Sequence, residues 1–182
     1  ASGAAGFENK WINNLVYDIE SSGSLYGMYC PSYNFVHVYH NTISFDDATA
    51  SGTTSTYGIY AYGTSTEVKN NIISITRGGT GTKYCLYFST NTAVVSNNND
   101  LYMNAPTGSN NIGYSSGAHA TFANWQAANG GAWDQNSQNV DPSFANIALD
   151  DYKPTNVSIN DIGAPLGVTD DIAGALRSVS TP

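Results

Sequence analysis

Apolar and polar residues alternate over short runs along this chain, and the runs return at a nearly constant interval. The clearest alternation lies in residues 35–45, where Val36 and Val38 fall on one face and the residues between them on the other. Runs rich in β-branched and aromatic residues, separated by Gly, Ser, Thr and Asn, indicate short strands joined by turns. The repeated part does not show the apolar spacing of a helix.

The runs form a unit that occurs about four times, and two motifs mark it. The second residue of an asparagine motif, with steps of 27, 30 and 27 residues, is Asn14, Asn41, Asn71 and Asn98. The last residue of a tyrosine motif, with steps of 31, 27 and 27 residues, is Tyr29, Tyr60, Tyr87 and Tyr114. Such a period is typical of a solenoid. Several strands per period favour one turn of a parallel β-helix.

Stacked turns place equivalent residues about 4.8 Å apart, which makes the core predictable. The first predicted inward ladder is Trp11, Val38, Val68 and Val95. The second is Met28, Ile59 and Leu86, ended by Gly113. The predicted outward row is Ile12, Tyr39, Lys69 and Ser96. The asparagine row falls at turns, where Asn tolerates a left-handed backbone. Three further tyrosines share parity with the inward residues and are predicted to line the core near a corner: Tyr26, Tyr57 and Tyr84.

The repeat ends after Tyr114, and a different kind of segment follows. Thr121 is predicted to cap a short helix, Phe122 to Ala128, that stops at Gly130-Gly131. The irregular remainder is predicted to cover the open end of the solenoid, because exposed strand edges recruit other chains. Residues 1–120 therefore form the rungs, and residues 121–182 form the helix and cover of the same domain.

The composition of the chain excludes several classes of partner. Charged residues make up only 11% of the chain, and the formal charge is −8 with six Lys plus Arg. Nucleic acid and anionic membranes are therefore not expected partners. Without a run of 18 apolar residues, membrane insertion is not expected either.

The two cysteines are predicted to lie too far apart for a disulfide. Cys30 and Cys85 lie two rungs apart, about 9.6 Å, beyond the roughly 7 Å limit of a disulfide. Two buried free thiols are predicted.

Residues of the C-terminal part carry a family resemblance. They are Phe122-Ala123-Asn124-Trp125-Gln126, Asn136-Ser137, Asp141-Pro142-Ser143-Phe144, and the stretch from Gly163 to Arg177 with its Asp-Ile-x-Gly-x-x-Arg segment. This part resembles the tail of secreted bacterial β-helix proteins, and the repeats resemble the right-handed parallel β-helices of the pectate-lyase-like superfamily. The resemblance implies an all-β, right-handed parallel β-helix of about four to five rungs with one short helix and an irregular C-terminal cover. It also implies that the chain is a fragment of a larger protein.

The superfamily includes polysaccharide lyases and glycoside hydrolases, which need paired carboxylates or a carboxylate row with a basic residue. The acidic residues of the repeats are Asp18, Glu20, Asp46, Asp47, Glu67 and Asp100. They form no evident row, because Asp46 and Asp47 are adjacent and would point to opposite faces of a strand. Arg77 and Lys83 flank a Gly-rich loop without an aligned carboxylate. We therefore assign no catalytic residue.

Two other polar sets have simple structural interpretations. Asp170 and Asp171 with Arg177 are predicted to lock the terminal loop as a structural cap through a bidentate contact. Calcium could be held by the oxygens of Asp134, Asn136, Asp150 and Asp151. No spacing enforces a calcium site, and solvated turn residues are the simpler interpretation, so we assign no metal or cofactor. The three histidines lack the spacing of a zinc site.

The tyrosine row is the strongest binding candidate. Tyr87 follows the inward Leu86, so it is predicted to point outward with its equivalents, about 4.8 Å apart. The candidate glycan-binding residues are Tyr29, Tyr60, Tyr87 and Tyr114. A flat stripe of phenol rings suits the C–H faces of sugar rings. The alternative is that stacked tyrosines only cover and stiffen the sheet.

The sequence thus predicts a non-catalytic extracellular module, secreted or on the cell surface, that belongs to a larger bacterial protein. It would bind a polysaccharide or cell-surface glycan, or serve as a structural or adhesive part. A polysaccharide lyase or glycoside hydrolase is the alternative function. An ice- or surface-binding solenoid ranks third, because the threonines are scattered through loops rather than aligned on one face.

Overall fold

The structure is a computed structural model that describes residues 2–31 and 33–182. Its elements in chain order are β1 (Asn9–Ile12), β2 (Leu15–Val16), β3 (Leu25–Cys30), β4 (Val36–Tyr39), β5 (Thr42–Phe45), β6 (Thr56–Ala61), β7 (Thr66–Lys69), β8 (Ile72–Ile75), β9 (Thr82–Phe88), β10 (Val95–Asn97), β11 (Asp100–Met103), β12 (Ser109–Tyr114), β13 (Ala118–His119), α1 (Phe122–Ala127), β14 (Phe144–Asn146) and β15 (Asp151–Pro154). Short 3₁₀ turns follow at Ala128–Gly131, Ile147–Leu149 and Val157–Ile159.

Three parallel sheets form the walls of the solenoid. The strand order is β1-β4-β7-β10 in the first sheet and β2-β5-β8-β11 in the second. The third sheet has the order β3-β6-β9-β12, and the short β13 joins it in antiparallel pairing. Each turn of chain contributes one strand to each sheet. The predicted parallel β-helix is therefore confirmed, with about four turns and a single short α-helix.

One apolar ladder runs through the core as the repeat predicts. Met28, Ile59 and Leu86 are register partners, and their side chains are at most 3% exposed. Gly113 continues this ladder at the last turn. A Cβ atom on Gly113 would lie 2.4 Å from the ring of Trp125, so glycine lets this α1 side chain close the end of the core.

The fourth turn is offset by one residue from the predicted register. Val68 pairs with Ser96, which is buried, whereas Val95 pairs with Glu67 and is exposed. The predicted inward Val95 and outward Ser96 are therefore both wrong. The three consecutive asparagines that follow permit two alignments. Asp134 favours the observed one, because its carboxylate accepts a 2.6 Å hydrogen bond from the buried Ser96 hydroxyl.

The asparagines between the first and second sheets form a continuous amide ladder, which ends at Asn99 rather than the predicted Asn98. The backbone and side-chain amides of Asn41 both donate to Asn71 Oδ1, at 3.0 and 2.9 Å. Asn71 donates to Asn99 Oδ1 in the same way, at 3.0 Å each. The left-handed backbone belongs to the residue before each ladder position: Asn13, His40, Asn70 and Asn98, with φ of 54° to 58°.

The third sheet departs from strict alternation at Gly27. This glycine faces the interior next to Met28, since a Cβ here would lie 2.7 Å from the Ile43 side chain. Tyr26 and Tyr29 lie on either side of the inward-facing Gly27 and Met28. Both tyrosines therefore face outward, and they are 41% and 47% exposed. The prediction that Tyr26 and its equivalents line the core is wrong, because it assumed unbroken alternation. The equivalent residue on the later turns is Gly58, then Cys85 and Ile112, so it becomes larger from the third turn onward.

Cys30 and Cys85 are both free and buried, which confirms the prediction. Burial raises the pKa of the Cys30 thiol to about 12 and raises that of Cys85 as well. Because the thiolate is the reactive form of cysteine, both residues act as small apolar side chains in the core.

Asp134 holds the C-terminal end of the solenoid closed. Its fully buried Oδ2 accepts hydrogen bonds from Trp125 Nε1 at 2.7 Å and from Ser96. Its Oδ1 accepts from Asn99 Nδ2 at 2.9 Å and from the Ser137 hydroxyl at 2.6 Å. The interpretation of Asp134 as a solvated turn residue is therefore wrong. The predicted helix is confirmed and ends one residue earlier than expected, with the Thr121 hydroxyl as its N-cap.

Residues 162–170, here called the strap, return along the outer corner of the asparagine turn. Asn98 Nδ2 donates to the Ile162 carbonyl at 2.7 Å. Asn70 exchanges two hydrogen bonds with Ala164, at 2.7 and 2.9 Å. Asn13 Nδ2 donates to the Asp170 carbonyl at 2.7 Å. The left-handed turn asparagines thus attach the strap from the last turn to the first.

Candidate functional site

Seven tyrosines on the outer face of the third sheet form two rows, here called the tyrosine platform. The four residues of the first row are register partners with ring centroids 5.2, 4.7 and 4.4 Å apart: Tyr29, Tyr60, Tyr87 and Tyr114. The second row has centroid separations of 4.7 and 5.7 Å: Tyr26, Tyr57 and Tyr84. The structure thus brings the four predicted tyrosines together and adds three that the sequence assigned to the core.

The two rows are inclined to each other rather than flat. Tyr57 meets Tyr60 at 86°, and Tyr84 meets Tyr87 at 80°. Within a row, parallel rings at these separations overlap as offset stacks. Tyr60, Tyr87 and Tyr114 are stacked at 7° and 5°, and Tyr26, Tyr57 and Tyr84 at 12°, so these rings cover part of one another's faces. Tyr29 is tilted by 54° from Tyr60. The flat stripe expected from the sequence is replaced by a herringbone of ring edges.

The platform carries no charge near neutral pH. The strands β3, β6, β9 and β12 contain no Asp or Glu, and their one cation, Lys83, is buried. Burial raises the pKa of Tyr87 to about 12, and neighbouring tyrosines add to this effect. Burial likewise raises the pKa of Tyr26 and Tyr84. The phenols of Tyr26, Tyr84 and Tyr87 therefore keep their protons near neutral pH, and a protonated hydroxyl can both donate and accept hydrogen bonds.

The two cations considered as candidate bases lie inside the protein. The Lys83 ammonium donates to the carbonyls of Gly79 and Thr107 at 2.7 Å and of Gly81 at 3.4 Å. Arg77 donates to the Thr56 hydroxyl, and both cations are at most 3% exposed. Burial lowers the pKa of each. The hydrogen bonds of both side chains are made to groups inside the protein rather than at an open surface.

The acidic residues of the repeats are dispersed, and Glu67, Asp46 and Asp47 each have their own partner. Glu67 on the first sheet accepts hydrogen bonds from Tyr39 and Lys69, at 2.5 and 2.8 Å. Asp46 accepts from Tyr152 at 3.1 Å, and Asp47 accepts from Thr49. Over residues 2–31 and 33–182, no three His, Cys, Asp or Glu side chains are grouped to hold a metal ion.

The predicted cap residues meet at the first turn of the solenoid. Arg177 Nη2 donates to Asn13 Oδ1 at 2.9 Å, and its Nε donates to the Asp170 carbonyl at 3.1 Å. Asp171 Oδ1 instead accepts from the backbone amides of Ala173 and Ala175, at 2.8 Å each. The Arg177 guanidinium therefore donates to the Asp170 backbone carbonyl and to the Asn13 side-chain amide oxygen. The predicted bidentate contact with a carboxylate is not formed.

Asp100 is a fully buried carboxyl group with an unpartnered oxygen. Oδ1 accepts from the Val140 amide at 3.1 Å, while Oδ2 has no hydrogen-bond partner among the described residues. Burial raises the pKa of Asp100 to about 7, and the charge of Asp141 adds to the shift. Between about pH 4 and 7, the folded state then holds a proton that the unfolded state has lost. The contribution of Asp100 to the free energy of unfolding therefore falls as the pH rises from about 4 to 7.

We expect Asp100→Asn to be more stable than the parent at pH 8 by on the order of 2–4 kcal/mol, with the difference vanishing near pH 4. The amide keeps an acceptor for Val140 and has no charge to bury. Urea unfolding at both pH values measures the difference, with exposed Asp18→Asn as control. A difference that does not change with pH would contradict the expectation.

Comparison of the chain with protein-family models, with curated proteins and with solved structures finds no match. Within the described residues, no helix is long and apolar enough to cross a membrane. The site must therefore be interpreted from its own geometry. The second tyrosine row had a sequence signal, because each of its residues precedes a first-row tyrosine by three positions in three successive turns.

Proposed function

We propose that this chain is a non-catalytic module that binds a neutral polysaccharide on the tyrosine platform. The observation that carries the proposal is the pair of tyrosine rows, repeated turn after turn without an acidic residue in their strands. Ring edges offer apolar contact to sugar C–H groups, and the phenol hydroxyls offer hydrogen bonds around them. A regular polymer lying along the solenoid axis would meet the same contacts at every turn.

The expected ligand is neutral because the platform offers nothing to balance a charge. Lys83 is buried beneath the loops, and the raised pKa of Tyr87 keeps its phenol protonated. A polyuronate would lose hydration without gaining a cation in return. The formal charge of −8 adds a repulsive field for any polyanion.

The resemblance of the repeats and tail to secreted bacterial β-helix proteins of the pectate-lyase-like superfamily supports an extracellular setting. In that setting the chain would be one part of a larger secreted or surface-displayed protein. Dispersed acidic residues and buried Lys83 and Arg77 favour binding over lyase or hydrolase chemistry. The mutual covering of ring faces favours a second candidate, a structural spacer whose tyrosines stiffen the sheet.

A polysaccharide panel in affinity electrophoresis separates these functions. We expect retardation by at least one neutral polysaccharide, and a loss of about tenfold or more in affinity for Tyr60→Ala/Tyr87→Ala, since two stacked rings contribute on the order of 1–3 kcal/mol. Tyr60→Phe/Tyr87→Phe keeps the stacking and isolates the hydroxyls. Tyr102→Ala, on the second sheet, is the matched control.

Each other outcome rejects the proposal in a different way. Retardation by none of the panel would leave the structural spacer. Ultraviolet absorbance from new unsaturated sugar ends would indicate a lyase. Equal loss of retardation in the Tyr102→Ala control would show that the platform variants act through general destabilisation rather than through a binding surface.

A further inference from the structure

The strap is unattached at one turn of the solenoid. At the other three turns, the left-handed residue is an asparagine bonded to the strap. At the second turn that residue is His40, and no hydrogen bond joins it to the strap in the part of the chain that is described. The row of left-handed asparagines is therefore interrupted at the same turn where no hydrogen bond from the left-handed residue to the strap is found among the described residues.

A cavity of about 570 Å³ opens at this break, within the size range of small-molecule sites. Its floor comes from the second sheet, with Leu15, Thr42 and Ile72. Tyr152 and Pro154 of the cover form the facing wall. A second cavity of about 210 Å³ adjoins it and includes the buried Asp100, whose Oδ2 is unpartnered.

His40 lines both cavities and has one ring nitrogen that is free to donate. The residue is 8% exposed, and its Nε2 lies 3.1 Å from Asn70 Nδ2. Because an amide nitrogen can only donate, Nε2 is the acceptor and the proton sits on Nδ1. Nδ1 has no partner among the described residues. Burial lowers the pKa of His40 to about 4, so the ring is neutral near pH 7.

Arg177 lines both cavities and has a second unused donor. Its Nε and Nη2 are occupied by the Asp170 carbonyl and by Asn13, which fix the guanidinium at the edge of the space. Nη1 makes no hydrogen bond within the described residues. Two hydrogen-bond donors, the neutral His40 ring and the cationic Arg177 guanidinium, thus lie next to the floor of the cavity.

The charges around the larger cavity select the class of ligand. The lining includes three carboxylates and two cations: Asp150, Asp151, Asp171, Lys153 and Arg177. A carboxylate ligand would meet a net negative rim, and a cation would meet Arg177 at the edge of the space. A hydroxyl group can accept from His40 or Arg177 and also donate to a rim carboxylate. Neutral polyols satisfy both sides.

We propose that this cavity is a second binding site, which takes one neutral sugar unit through His40 and Arg177. The site lies on the asparagine corner, away from the tyrosine platform on the third sheet. It does not depend on the platform, because no residue is shared between them. The cavity volume limits the ligand to one or two rings, whereas the platform suits a long chain.

Histidine-selective NMR tests the site directly, since the chain has only three histidines. Glucose, galactose, mannose and N-acetylglucosamine are titrated separately, with glucuronate and glucosamine as charged counterparts. We expect a saturable shift of the His40 signals with at least one neutral sugar and about tenfold weaker binding of the charged forms. No shift with any neutral sugar, or tighter binding of glucuronate, would overturn the proposal.

Two variants test the assigned donors by calorimetry with the sugar that binds. His40→Asn restores the asparagine row, and Arg177→Gln removes the cation, and each is expected to weaken binding about tenfold or more. His37→Asn makes the same exchange on the first sheet and serves as the control. If His40→Asn does not fold, Arg177→Gln alone decides. Unchanged affinity in the folded variants would reject the site.

The two proposals can fail independently. The His40 signals report the occupancy of the cavity by a monosaccharide, and electrophoretic retardation reports a polymer on the platform. A shift of His40 without retardation would support the cavity alone, and retardation without a shift would support the platform alone.

Discussion

Replacing Asp134 with alanine is expected to lower the free energy of unfolding by about 3–5 kcal/mol, one of the two largest effects we predict for a single side chain. The carboxylate accepts four hydrogen bonds at the sealed end, from Trp125, Ser96, Asn99 and Ser137. Alanine would leave the buried donors of Trp125, Ser96 and Ser137 without this acceptor, while Asn99 Nδ2 would keep only its bonds to the Val68 carbonyl and the Ser96 hydroxyl. Urea unfolding monitored by tryptophan fluorescence measures the loss, and Trp125 reports on the site itself.

The control for this prediction is Asp151→Ala, which removes an exposed carboxylate from the cover. Its effect is expected to be within about 0.5 kcal/mol. Asp134→Asn should fall between the two, because the amide retains one acceptor oxygen but must place an NH₂ group among donors. Equal unfolding midpoints for Asp134→Ala and Asp151→Ala would show that the end network contributes little.

Asn71→Ala is expected to cost about 3 kcal/mol or more, because this side chain lies in the middle of the amide ladder. Oδ1 accepts from both amides of Asn41. Nδ2 donates to the carbonyls of Val38 and Lys69 at 2.8 and 3.0 Å, and to Asn99 Oδ1. Buried polar groups on three turns lose a partner at once. Thermal and urea unfolding give the change in stability.

Asn14→Ala is the matched control, since Asn14 occupies the same ladder position on the first turn but is exposed. Water can replace its side-chain bond to Asn41, so a loss below about 1 kcal/mol is expected. A similar loss of stability in both variants would mean that burial does not increase the stability contributed by an amide of the ladder.

The repeat made most of the fold predictable, because each ladder position is sampled several times. Met28, Ile59 and Leu86 agree in size and polarity, so one misplaced residue could not mislead the alignment. The fourth turn was predicted in the wrong register, because three consecutive asparagines permit two alignments. There the choice depended on Asp134, which lies outside the repeat and whose burial no local pattern signals.

The candidate sites were predictable only in part, for a related reason. The first tyrosine row follows from parity with Leu86, but the second row depends on the break of alternation at Gly27, a packing feature set by Ile43. Likewise, His40 is visible in the sequence as an exception in the asparagine row. Its meaning required the strap, whose contacts join residues as far as 157 positions apart.

The position next to the inward ladder differs between the early and the late turns of the solenoid. It is glycine in the first two turns, Gly27 and Gly58, and a larger residue in the last two, Cys85 and Ile112. Turns that carry glycine here pack against isoleucine, as Gly58 does against Ile73. A tandem duplication of residues 42–71 would repeat that pairing and keep the cross-section constant. At the last turn, in contrast, a Cβ on Gly113 would lie 2.4 Å from the Trp125 ring that closes the core. Gene duplication or design can therefore lengthen the protein at its early turns, while the last turn is committed to termination.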